Sequence, residues 1–242
     1  MTTILANLSR WWADTPLKRR QKTAGKPLTL LQAGAHLFAL APAAWLLADA
    51  AAGRMSINPI QEATQRLGQY AILLLVASLA ITPLKTITGS RAIPSLARPL
   101  GLCAFGYALI HLIFFVGVDY GFNFALLLPD TLDKPYIYIG LAAFLILLSL
   151  AVTSFRWWMK HLGKRWKLLH RLVYVAGVLV VIHYGLAVKG DLLSLRGNIG
   201  MPVLYGVLVA LLLVMRLPIV RRWVVTGRGR IQRLTQSKRN AV

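Results

Sequence analysis

Charge is scarce in this chain, and negative charge most of all. Of 242 residues only 14% are charged, and seven are Asp or Glu. A globular chain carries about 25% charged residues, so a polar surface around a soluble core cannot be built from this supply. Cysteine is almost missing as well. Cys103 stands alone, which excludes a disulfide framework and any multi-cysteine zinc or iron–sulfur site. No glycine-rich dinucleotide fingerprint follows a strand-like segment, and no internal repeat or low-complexity tract partitions the sequence. The basic residues of the first 26 positions have no apolar h-region beside them, so a cleaved signal peptide is not expected.

What the chain does have is apolar length. It is 57% hydrophobic, with a mean hydropathy of +0.61. A membrane-spanning helix needs about 20 mostly apolar residues. Six stretches meet this: 28–48, 67–84, 99–118, 136–155, 168–188 and 201–220, the second being the shortest. Breaker residues separate them, among them Asn58-Pro59, Gly89, Pro94, Pro129, Pro135, Gly190 and Gly197. Pro42 falls inside the first stretch, where a kink is tolerated. The expected fold is all-α, an integral membrane bundle of six transmembrane helices. A basic segment at 1–27 precedes the 28–220 bundle, and a basic, frayed tail at 221–242 follows it.

The Lys and Arg residues orient the bundle. Twenty-three of the 28 lie in the N-terminal segment, the second and fourth connections and the C-terminal end. The opposite loops hold five, together with six of the seven acids. By the positive-inside rule both termini are expected in the cytoplasm. The net charge of +21 is therefore a topology signal, and nucleic acid is not an expected partner; the lipid bilayer is.

Ionisable residues inside spans mark function by default. His36, His111, His170 and His183 lie in or at spans, whereas His161 sits in a basic loop and is read as a solvated side chain. No Asp or Glu lies well inside any stretch, which argues against proton pumps and cation transporters. Imidazoles without carboxylates or thiolates point to haem held between two helices. At 1.5 Å per residue His111 lies about 18 Å and His183 about 22 Å from the cytoplasmic end of their spans. The two spans run in the same direction, so one outer haem is expected to bridge them.

His170 lies about 20 Å lower, where a second, inner haem is one reading. Arg98 stands at that depth as a propionate partner or an unusual ligand. On one ideal helix His170 and His183 would point about 140° apart, so a kink near Gly177 or ligation on different sides of the bundle is needed. His36 is read first as a packed polar residue, and otherwise as an alternative ligand or a quinone contact. Trp157, Trp158 and Trp166 read as an interfacial belt. Gly101, Gly106, Gly177 and Gly185 are expected to allow close approach of a backbone or a flat macrocycle.

Several stretches resemble a known family. They are Ala35-His36-Leu37 with Pro42, Ile81-Thr82-Pro83-Leu84, Leu100-Gly101-Leu102 through Phe105 to His111, and Lys134-Pro135-Tyr136. The most specific runs Leu162-Gly163-Lys164-Arg165-Trp166-Lys167-Leu168-Leu169-His170-Arg171-Leu172-Val173-Tyr174, with His183-Tyr184 after it. In this order and spacing the chain resembles the MsrQ (YedZ-type) haem-binding membrane subunits of bacterial periplasmic protein-methionine-sulfoxide reductase systems. The wider kinship is with ferric-reductase and NADPH-oxidase transmembrane domains. One departure is that Arg98 stands single where members of the family often carry two arginines.

The resemblance implies b-type haem, one or two, on His111, His183 and His170, with a bound FMN and electrons from the quinone pool. It implies a periplasmic molybdopterin-containing partner that reduces methionine sulfoxide in envelope proteins, and a multi-pass location in the bacterial inner membrane. The chain itself would be a non-catalytic electron-transfer subunit, and NAD(P)H electrons would have to reach it through another protein or a diffusible carrier. Two other classes stay open at the level of sequence: a stand-alone membrane ferric or quinone reductase, and a haem-free transporter of a polar substrate. The six acids of the outer loops are expected to dock the periplasmic partner through a basic surface.

Overall fold

The structure is a computed structural model that describes residues 30–240 apart from 189, 192–195 and 198, with backbone alone at 190, 191, 196, 197 and from 231 onward. The basic N-terminal segment lies outside the described residues. In chain order the long helices are α1 (Leu30–Ala51), α2 (Pro59–Thr88) and α3 (Ala97–Ile113), the last preceded by a 3-10 turn and followed by a π-helical turn at Phe114–Asp119. A short α4 (Phe124–Leu132) leads to α5 (Pro135–Val152), then α6 (Arg156–Leu162), α7 (Lys164–Leu169) and α8 (Leu172–Ala187). A two-residue antiparallel pairing, Gly190 with Gly197, precedes α9 (Gly200–Val214) and α10 (Pro218–Asn240).

The second span, expected to be the shortest, is the longest. Pro59 opens α2 where its missing N–H has no intrahelical role, and the Asn58 side chain accepts from the Gln61 amide at 3.1 Å. These two residues start the helix eight positions before the apolar run begins. Polar Gln61, Glu62, Gln65 and Arg66 are helical although hydropathy alone leaves them out. At the other end Pro83 is carried within the helix, and Gly89 in the left-handed conformation ends it, its N–H bonding the Lys85 carbonyl. The helix is roughly 45 Å long, enough to cross the bilayer and project beyond it.

α2 is also the axis of the bundle. Some 44% of its apolar window is buried, against 11% to 22% for the other long spans. Leu74, Leu75 and Leu79 are fully enclosed. α1, α3, α8, α9 and α10 pack against α2, whereas α5 packs against α8 and α3; apolar side chains such as Leu37, Leu145 and Leu204 turn outward, as a lipid environment requires. Gly177 of α8 allows close approach to α2, since a Cβ there would stand 3.1 Å from Leu79 Cδ1. Tyr107 of α3 ties α1 to the core: its hydroxyl donates to the Ala39 carbonyl at 2.8 Å and accepts from the Ala43 amide at 3.1 Å. It thus bridges the i, i+4 pair that flanks Pro42.

At the far end of α1 the carboxylate of Asp49 accepts from Arg54, Arg66 and Trp45, and Arg66 also pairs with Glu62. On the same face Tyr120 donates to Asp130, which also pairs with Lys134 at 3.0 Å. The Tyr120 hydroxyl and the Lys134 ammonium hold the Asp130 carboxyl below its usual range. The hydrogen bond to Asp130, with burial, pushes Tyr120 up to about 12. This clasp is fully formed above the ordinary carboxylate pKa and opens as pH falls through the lowered one.

The fifth span is one crossing, Lys164–Ala187, interrupted only by a turn at His170 and Arg171 between α7 and α8. The sixth ends early: α9 has 15 residues, and α10 leaves it at an angle of 77°. The tail expected to fray is helical from Pro218 to Asn240. Its Arg228 donates to the Thr86 carbonyl at 2.9 Å and lies against Gly89, while Ile219 and Trp223 stay exposed. An amphipathic helix turned across the bundle axis suits the membrane interface.

Candidate functional site

His111 sits in the last turn of α3 and His183 near the end of α8. Their rings meet inside the bundle with centroids 6.3 Å apart and planes at 82°. The level inferred from residue counting is therefore shared in three dimensions. Each ring is held by a backbone carbonyl. His111 Nδ1 lies 2.8 Å from the Thr64 oxygen of α2, and His183 Nδ1 lies 2.7 Å from the Tyr136 oxygen of α5. A carbonyl only accepts, so Nδ1 carries the hydrogen on both rings. Each Nε2 then keeps its lone pair, the arrangement in which metal-ligating histidines are oriented by their second nitrogen.

Two glycines make room for these rings. A Cβ at Gly68 would stand 3.2 Å from His111, and one at Gly140 would stand 2.6 Å from His183 Nδ1. Neither glycine was singled out in the sequence, where attention fell on those within the third and fifth spans. The signal was available only as i, i+4 spacing to the carbonyl acceptors: Thr64 to Gly68 and Tyr136 to Gly140.

These residues suit a haem iron. The two rings converge on one point of the interior, each with its Nε2 lone pair available, and could both ligate one iron. Among the described residues no three His, Cys, Asp or Glu side chains cluster as a site for a bare ion. A haem, whose macrocycle carries its own nitrogens, would need only the His111 and His183 imidazoles from the protein.

Toward the opposite end of the bundle from this pair a cavity of about 400 Å³ opens between α2, α3, α5 and α8. It brings together Arg98 from the first turn of α3 and His170 from the α7–α8 break, as the sequence anticipated. His170 opens on this cavity while His183 meets His111, so the two side chains of one span serve different sites in the bundle. The His170 Nε2 is 3.3 Å from the Thr153 hydroxyl, and the Trp166 ring covers His170 at 4.1 Å. Trp166 therefore belongs to the cavity wall and not to an interfacial belt; its indole N–H donates to the Thr153 carbonyl at 2.9 Å. Arg216 lines the same cavity and was not among the residues singled out.

His36 stands apart from both groups. Its Nδ1 bonds the Gln32 carbonyl of its own helix at 2.6 Å, and it does not line the cavity. The acidic outer face is less available than the sequence suggests. Asp49, Glu62 and Asp130 are already paired with the protein's own arginines and lysine.

The helical bundle thus presents imidazoles from its third and fifth spans to one interior site. Residues 67–181 match the family described as ferric reductase like transmembrane component. The relatives are more specific. A protein-methionine-sulfoxide reductase heme-binding subunit MsrQ from Rhodospirillum rubrum is 41% identical over 185 residues, covering 76% of this chain and 86% of that protein. The MsrQ proteins of Bordetella parapertussis and Caulobacter vibrioides are 38% and 37% identical over 198 residues, covering 82% and 81% of this chain and 91% of each relative. The chain belongs to the MsrQ family. It is a multi-pass integral protein of the bacterial inner membrane.

Proposed function

We propose that this protein is the membrane electron-transfer subunit of a protein-methionine-sulfoxide reductase system. It takes electrons from the quinone pool or a flavin reductase and passes them through b-type haem to a periplasmic molybdopterin-containing reductase subunit that repairs oxidised envelope proteins. The observation that carries this reading is the His111–His183 pair, with both Nδ1 atoms engaged and both Nε2 atoms free. Haem supplies the one-electron chemistry; the protein fixes depth, orientation and polarity.

Each residue group has a part in that task. Thr64 and Tyr136 hold the imidazoles in the ligating tautomer, and Gly68 and Gly140 leave space for the rings. The α2, α3, α5 and α8 helices exclude water from the pair. His170 and Arg98 form an inner site on the cytoplasmic side, for a second haem or for the FMN that family resemblance suggests. His36 is a packed polar residue of α1. The functional domain is 28–220, flanked by basic segments, and methionine sulfoxide is reduced on the partner and not on this chain.

The test is to pre-reduce the purified protein in liposomes, add the periplasmic partner and methionine sulfoxide, and follow the haem spectrum. Reoxidation that needs both additions is the expected result. Reoxidation by sulfoxide alone, or none with a demonstrably active partner, overturns the function while leaving the fold intact. Orientation is tested separately. Reporters fused to either terminus should read cytoplasmic, and a periplasmic C-terminus would invert the assignment of inner and outer sites.

Docking should depend only modestly on ionic strength, because three of the outer acids are neutralised internally and rim charges are screened within about 10 Å at 0.1 M salt. A steep loss of partner-driven reoxidation between low and moderate salt would overturn this expectation.

A further inference from the structure

Arg216 counts in the sequence as one more cytoplasmic charge, yet its side chain lies inside the bundle. It follows the end of α9, and its guanidinium reaches α2 and α8. One Nη donates to the Tyr174 hydroxyl and the other to the Leu79 carbonyl, each at 2.6 Å. The guanidinium carbon stands 4.5 Å over the Tyr174 ring. Nε is buried and meets no acceptor. A buried donor without a partner is costly, and such groups call for an explanation.

The surroundings supply no counter-charge. Arg98 and Arg216 both line the inner cavity, and no Asp or Glu does. Among the described residues neither arginine makes an ion pair. Both partners of Arg216 are neutral, and they hold the guanidinium in place while leaving donors unused out of its five. A preorganised, uncompensated cation in a cavity that a second one also lines is an arrangement that takes an anion.

We infer that Arg216 is an anion-binding residue of the inner cavity, receiving a carboxylate or phosphate group of the cofactor bound there, with Arg98 as the second cation. The inference rests on the reading of that cavity as an inner cofactor site. It adds a ligand-binding side chain from the sixth span to the groups contributed by the third and fifth. The break between α9 and α10 has a role in this, since it delivers Arg216 to the cavity at the point where the sixth span ends.

The experiment uses the full-length protein in detergent, depleted of cofactors, and four probes. Hemin is compared with hemin dimethyl ester, whose carboxylates are masked, and FMN with riboflavin, which lacks the phosphate. Wild type, Arg216→Gln and Arg216→Lys are titrated with each. Arg216→Gln should weaken the anionic member of one pair by about tenfold or more and leave its neutral counterpart unchanged, with Arg216→Lys in between. Loss in the hemin arm, confined to the equivalent that His170→Ala also removes, identifies carboxylates; loss in the FMN arm identifies a phosphate.

Equal weakening of charged and neutral probes makes Arg216 a scaffold residue and overturns the inference, as does no change with any probe. The outer haem equivalent reports folding. If Arg216→Gln loses it, the ratio of free-acid to ester and of FMN to riboflavin affinity is read in Arg216→Lys, and unchanged ratios overturn the inference. A protein that retains partner-dependent reoxidation while Arg216 proves indifferent loses this inference alone.

Discussion

Replacing either His111 or His183 by alanine should abolish the same low-spin haem signal, leaving any inner haem in place. The two rings face each other at 6.3 Å, each fixed by one carbonyl bond, and one imidazole alone cannot give a six-coordinate bis-imidazole iron. The expected loss is complete for the outer haem in both variants, read as haem per chain and as the reduced-minus-oxidised spectrum. His170→Ala should act on a different, inner population. Two separate haem populations surviving in the His111 and His183 variants would mean that these residues serve different sites. A wild-type protein with only one haem would leave His170 as a partner for the cofactor's polar groups or a structural residue.

The second large effect comes from a residue that touches no metal. Gly140→Ala would place a methyl carbon 2.6 Å from His183 Nδ1, closer than any side chain tolerates. The ring must tilt or leave the Tyr136 carbonyl, and either displaces Nε2 from its ligating direction. Loss of such an orienting contact costs about 10- to 100-fold in metal affinity, so outer haem occupancy should fall by that order. Gly68→Ala, with 3.2 Å to the His111 ring, should act in the same direction and less strongly. Titration of the apo-variants with hemin measures both. Equal affinity for Gly140→Ala and wild type would show that His183 does not use the seating seen here.

Much of the architecture is legible in the chain because the bilayer imposes a simple rule: about 20 apolar residues per crossing, with basic residues kept on one side. Residue counting along 1.5 Å steps was enough to place His111 and His183 at one level. The rule fails where polar residues continue a helix past the membrane. Asn58 and Pro59 cap α2 well before its apolar run, so the span expected to be the shortest became the central one. The fifth crossing holds as one span, but hydropathy gives no signal of the turn at His170 and Arg171 within it.

The sequence by itself determined the class of the protein: a multi-span helical membrane bundle, scarce in acids, with histidines inside its spans and motifs of the MsrQ kind. These properties are local, carried by composition, spacing and short ordered stretches. Tertiary structure alone decided which groups support the imidazoles and what else faces the inner cavity. Thr64 and Tyr136 are each 47 positions from the histidine they orient, and Arg216 bonds a carbonyl 137 positions away. Those pairings depend on how helices rotate and pack against α2. The glycine that admits a ring, the carbonyl that selects its tautomer and the arginine left with an unused donor acquire meaning only once the helices are packed together.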